Sequence, residues 1–84
     1  MKTIALFGKT LAPENGEYMR QLFEELAGYH AEIVVYQPFA NIVATYIPQG
    51  LHYSVFHSHA DLNADLLFSI GGDGTILDTV PFDD

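Results

Sequence analysis

Cysteine is absent from the chain and basic residues are scarce. Without cysteine there is no disulfide and no zinc–thiolate site, which fits a reducing compartment. Lys2, Lys9 and Arg20 face eleven acidic residues, for a formal net charge of −8. Such a surface repels nucleic acid. It also repels a polyphosphate, so a nucleotide site here requires a divalent ion and basic groups from outside these residues. Long apolar runs are missing too: Ile4 to Phe7 is cut off by Gly8. That run is too short for a signal-peptide core and far too short for a membrane span, so the expected location is the cytoplasm. No internal repeat, linker or low-complexity segment interrupts the sequence.

What is present is a small, apolar α/β pattern. With 84 residues, 49% of them hydrophobic and 17% charged, the chain is one small domain or part of one. A domain of this size buries only about two-thirds of its unfolded surface, so apolar surface is left over for a partner. Thr3 to Phe7 reads as a strand apolar on both faces. From Pro13 the pattern turns helical, with Tyr18, Met19, Leu22, Phe23, Leu26 and Ala27 on one face and Gly28 as the C-terminal cap. Ala31 to Tyr36 is a β-branched second strand ended by Pro38, and strand–helix–strand is expected as a right-handed parallel unit. Phe39 to Tyr46 is expected as a short helix stopped by Pro48 and Gly50, followed by a strand-like Leu51 to Phe56. Asn63-Ala64-Asp65 makes the turn into a further apolar strand, Leu66 to Ile70.

That last strand runs into Gly71-Gly72-Asp73-Gly74-Thr75. A glycine turn at the carboxyl end of a buried strand either bends the backbone sharply or lets a ligand come close, and ligands of open α/β sheets bind at that edge. Glycines also expose backbone N–H groups to phosphate oxygens. Asp73 is the one reactive group in the turn, able to accept a proton from an attacking hydroxyl or to help hold a phosphate-bound metal. The structural alternative is an ordinary turn in which Asp73 or Thr75 caps a helix. A helix is expected over Thr75 to Val80, ended or kinked by Pro81.

Gly-Gly-Asp-Gly-Thr after an apolar strand resembles the motif of a kinase superfamily that includes NAD kinases, diacylglycerol and sphingosine kinases and, in variant form, phosphofructokinases. The turn after the first strand, Gly8-Lys9-Thr10, matches neither the Asn-Pro-x-x-Gly type of the lipid kinases nor the Gly-Gly-Asp type of the phosphofructokinases. The chain as a whole is similar to the N-terminal part of a bacterial NAD kinase. The fold implied is a partial Rossmann-like or flavodoxin-like parallel sheet with flanking helices. Residues 1–84 would be the N-terminal α/β part of a two-domain enzyme whose β-rich second domain lies outside them. The reaction implied is transfer of the γ-phosphoryl group of ATP, with Mg²⁺ or another divalent ion, to the 2′-hydroxyl of the adenosine ribose of NAD. Asp73 would be the catalytic base and, with Gly74 and Leu77, would contact NAD. Gly71, Gly72, Gly74 and Thr75 would shape the phosphate loop. The full-length protein is expected to form a homo-oligomer, and the 84 residues alone to be inactive. A lipid kinase domain is one alternative; a non-catalytic nucleotide-binding or interaction module is another.

Two further motifs stand beside this one. Gly8-Lys9-Thr10 invites a P-loop reading, but that motif needs a glycine where Thr3 stands, so it is read as a first βα turn with Lys9 solvated or, as the alternative, near a ligand phosphate. His57-Ser58-His59-Ala60-Asp61 resembles the start of the His-x-His-x-Asp pattern of metallo-β-lactamase-like hydrolases, which then breaks at Leu62. Surface polar residues are the plainer reading, no protein-held metal is assigned, and His52 has no assigned role.

Overall fold

The computed structural model describes residues 2–72 in full and the backbone of 76–81. Five strands make one sheet: β1 (Lys2–Phe7), β2 (Ala31–Tyr36), β3 (Ser54–Phe56), β4 (Leu66–Ile70) and β5 (Ile76–Pro81), in the order β3-β2-β1-β4-β5. The first four are parallel and β5 is antiparallel to β4. The expected α/β class and parallel sheet are therefore present. The order is the Rossmann-like one of the two orders left open by the sequence.

Two helices connect the strands. The longer, α1 (Gly16–Ala27), follows a single 3-10 turn at Pro13–Asn15 and buries Met19, Phe23 and Leu26. Tyr18 and Ala27, expected on the same face, are exposed, Tyr18 by 57%. The buried stripe is narrower than the apolar one: α1 meets the sheet along Met19, Phe23 and Leu26, with Leu22 half-buried beside them. The shorter helix, α2 (Gln37–Val43), starts directly after β2 with Pro38 in its first turn and passes into a 3-10 turn at Ala44–Tyr46. Proline lacks only an N–H that no first-turn residue needs, so Pro38 starts this helix as well as closing the strand. Gly50, at φ +94°, makes the turn that follows. The strand after it is shorter than expected. Leu51 packs against the core, and pairing with β2 begins only at Val34 opposite Ser54.

Handedness decides which face is covered. Successive right-handed crossovers stepping the same way along a sheet put their helices on one face. Accordingly α1 and α2 both pack on Ile4, Leu6, Ile33, Val35 and Ile70. The connection from β3 to β4 steps back across β2 and β1, so it crosses the opposite face. That connection carries only a 3-10 turn at His59–Asp61, and the face gathers Ala5, Phe56 and Leu62, with Phe7, Val34, Tyr36 and Leu67 half-buried around them.

The helix expected over Thr75 to Val80 is corrected: Ile76–Pro81 is the edge strand β5. Ile76, Thr79 and Val80 are β-branched and favour extended backbone, and a helix there had only a turn or so before Pro81. An edge strand tolerates Pro81 because one side of its backbone needs no ladder partner. Thr75 itself lies outside the described residues.

Candidate functional site

β1 lies between β2 and β4, so the chain winds outward from β1 in both directions. The gap between β1 and β4 is thus the point where the strand order reverses, the place where open α/β sheets form a crevice at their carboxyl edge. Phe7 stands opposite Ser69 in the β1–β4 ladder, so both strands end at the same level. At the other end the ladder is pinned by a reciprocal pair: the Thr3 N–H donates to the Asp65 carboxylate at 2.7 Å, and the Asp65 N–H donates to the Thr3 carbonyl at 2.8 Å.

Two glycine turns meet at this edge. After β1 come Gly8, Lys9 and Thr10; after β4 come Gly71, buried, and Gly72, exposed. The Ala12 N–H donates to the Gly72 carbonyl at 2.8 Å and ties the two turns together. A Cβ on Gly72 would lie 3.0 Å from the Thr10 hydroxyl oxygen, so the turns touch where glycine leaves room. Gly8 is more constrained. A Cβ there would sit 2.7 Å from the ring of Phe39, a fully buried residue of α2. The ring has nowhere to move, so Gly8→Ala is expected to cost about 1–3 kcal/mol as an overpacked core, measured by urea unfolding. An unchanged unfolding midpoint would show that α2 yields instead.

The residues assigned from the sequence fall as follows. Gly71 and Gly72 are at the carboxyl edge. Asp73, Gly74 and Thr75 lie outside the described residues. Leu77 belongs to β5, where Ile76 pairs with Ile70 and Asp78 with Ser69, so that Leu77 is the extra residue of a bulge. Bulges re-aim side chains and increase twist next to binding sites. Sequence reasoning missed Thr10, Ala12 and Phe39 as the supports of this edge. A glycine at a strand end is the kind of signal that marks a close approach, but only the fold shows that the group approaching Gly8 is Phe39.

Among the described residues the side chains at this edge are Lys9 and Thr10, a cation and a hydroxyl, which suit an anion and not a resident divalent metal. His57 is exposed after β3, while the His59 ring packs 5.5 Å from Phe7 and 6.1 Å from Phe56. No group of three or more His, Asp or Glu is placed to hold a metal among the described residues. A cavity of about 490 Å³ opens at the opposite, amino end of the sheet, lined by Lys2, Leu22, Leu26, Tyr29, Leu66 and Phe68. It is an apolar gap between α1 and β4 and has none of the glycine turns. No helix among the described residues is long and apolar enough to cross a membrane.

Comparison with known proteins gives a consistent direction. The chain is 33% identical over 76 residues to the NAD kinase of Flavobacterium psychrophilum, an alignment covering 88% of this chain and 26% of that one. It is 30% identical over 73 residues to the NAD kinases of two Bacteroides fragilis strains, covering 87% of this chain and 25% of theirs. No protein-family model matches the chain, and no solved structure does. Over most of its own length the chain is therefore similar to NAD kinases, and it spans about a quarter of the length of these relatives.

Proposed function

We propose that these residues form the N-terminal α/β part of an NAD kinase and supply one wall of its nucleotide site. The observation that carries this reading is the meeting of two glycine turns at the strand-order reversal, held by the hydrogen bond from Ala12 to Gly72. Backbone donors at such an edge approach phosphates without side chains in the way. In this reading ATP is the phosphoryl donor, with Mg²⁺ arriving on its phosphates, and the acceptor is the 2′-hydroxyl of the adenosine ribose of NAD. Asp73, next in sequence after Gly72, takes the hydroxyl proton, Gly74 and Leu77 contact NAD, and Thr75 completes the loop. Positioning and charge stabilisation supply most of the rate in phosphoryl transfer, and one wall provides only part of either.

The test compares the 84-residue chain with the polypeptide expressed from its complete reading frame, each incubated with ATP, Mg²⁺ and NAD. NADP is expected from the latter and none from the former. No NADP from the complete polypeptide would sink the kinase assignment. If that polypeptide binds nucleotide without transfer, the non-catalytic module takes its place.

A further inference from the structure

Lys9 occupies a position that neither the motif nor the similarity to NAD kinases assigns. The chain has three basic residues. Lys2 begins β1, at the amino end of the sheet beside the start of β2. Arg20 is on α1, where it donates to the Thr45 carbonyl at 3.3 Å and lies 3.9 Å from the Glu17 carboxylate. Only Lys9 stands at the carboxyl edge, on the turn between buried Gly8 and the Thr10 that meets Gly72. Its ammonium is exposed and has no hydrogen bond or ion pair among the described residues.

The position of Lys9 is not free to drift. Gly8 is wedged against the Phe39 ring on one side of the turn, and Ala12 is bonded to Gly72 on the other, so the segment between them is anchored at both ends. In a chain of net charge −8, a polyanion reaching this edge meets general repulsion and a single local cation. A lysine ammonium is a mobile point charge on a long stem, suited to following phosphate oxygens.

We propose that Lys9 binds the polyphosphate of the nucleotide seated across the ends of β1 and β4, an inference that rests on the proposed nucleotide site. The common chemistry is a phosphate chain, carried by either Mg·ATP or NAD, and the experiment separates the two. With the polypeptide from the complete reading frame, each ligand is titrated by calorimetry into wild type, Lys9→Met and Lys9→Arg. Lys9→Met is expected to raise Kd for one of the ligands about 10- to 100-fold, the loss for one charged hydrogen bond. Lys9→Arg is expected to stay within a few-fold, and the gap between Met and wild type is expected to narrow at high salt. The ligand whose Kd moves is the one Lys9 holds. Because the side chain is exposed, the melting temperature is expected to be the same in all three proteins. Wild-type affinity for both ligands in Lys9→Met, or equal weakening in Lys9→Arg, overturns the role of Lys9 and leaves the nucleotide site standing. Failure of the wild type to bind either ligand overturns the site and Lys9 together.

Discussion

Asp73→Asn, in the polypeptide expressed from the complete reading frame, is expected to lower the turnover of NAD phosphorylation by about 10²- to 10⁴-fold, the usual contribution of a general base. Asn keeps the size and hydrogen-bonding capacity of the side chain but takes up no proton. Because Ile76–Pro81 is a strand, the structural alternative is a turn residue rather than a helix cap, and Asn fills turns as well as Asp, so that role predicts little change in stability and no loss of rate. The catalytic and structural readings thus separate on one variant. The decisive measurement is turnover at saturating ATP and NAD, beside a thermal melt of the same preparation. Turnover within a few-fold of wild type would remove the principal residue-level support for a kinase. Unlike Lys9→Met, which acts on Kd, this change is expected to act on kcat with substrate affinity largely kept.

Phe23→Ala is expected to destabilise the domain by about 3–5 kcal/mol, the range for truncating a fully buried Phe. Phe23 has no exposed surface and packs in one cluster with Met19, Phe39 and Val43, the layer that joins both helices to the sheet. At roughly 0.05–0.15 kcal/mol per residue, a domain of 84 residues has about 4–13 kcal/mol of stability in all, so the loss removes a large share of it and should lower the unfolding midpoint markedly. Tyr18 is the internal comparison. It lies on the same apolar stripe in the sequence but is 57% exposed, so Tyr18→Ala is expected to cost no more than about 0.5 kcal/mol. Urea unfolding of the two variants side by side tests the packing of α1. Equal midpoint shifts would mean that α1 is rotated relative to the arrangement described here. Because Phe39 also backs Gly8, loss of this layer would loosen the turn that carries Lys9.

By itself the sequence determined the parts whose signals are local. Apolar runs specified β1 and β4, a β-branched run specified β2, the 3.6-residue period with Pro13 and Gly28 specified α1, and the glycines marked the turn after β4. Where local signals conflict, tertiary pairing decided. Ile76 to Pro81 had a loop-to-helix context and a β-branched composition, and a free edge beside β4 settled it as a strand. Leu51 to Tyr53 had strand composition, but pairing with β2 begins only at Val34 opposite Ser54, so only Ser54–Phe56 extend the sheet. The candidate site divides in the same way. Its glycines were legible because their backbone freedom is a property of the residue. Its location was not, since strand order depends on which elements meet across the chain. Only that order sets β1 beside β4, brings Thr10 and Ala12 against Gly72, and leaves Lys9 as the basic residue at the edge where the two turns join.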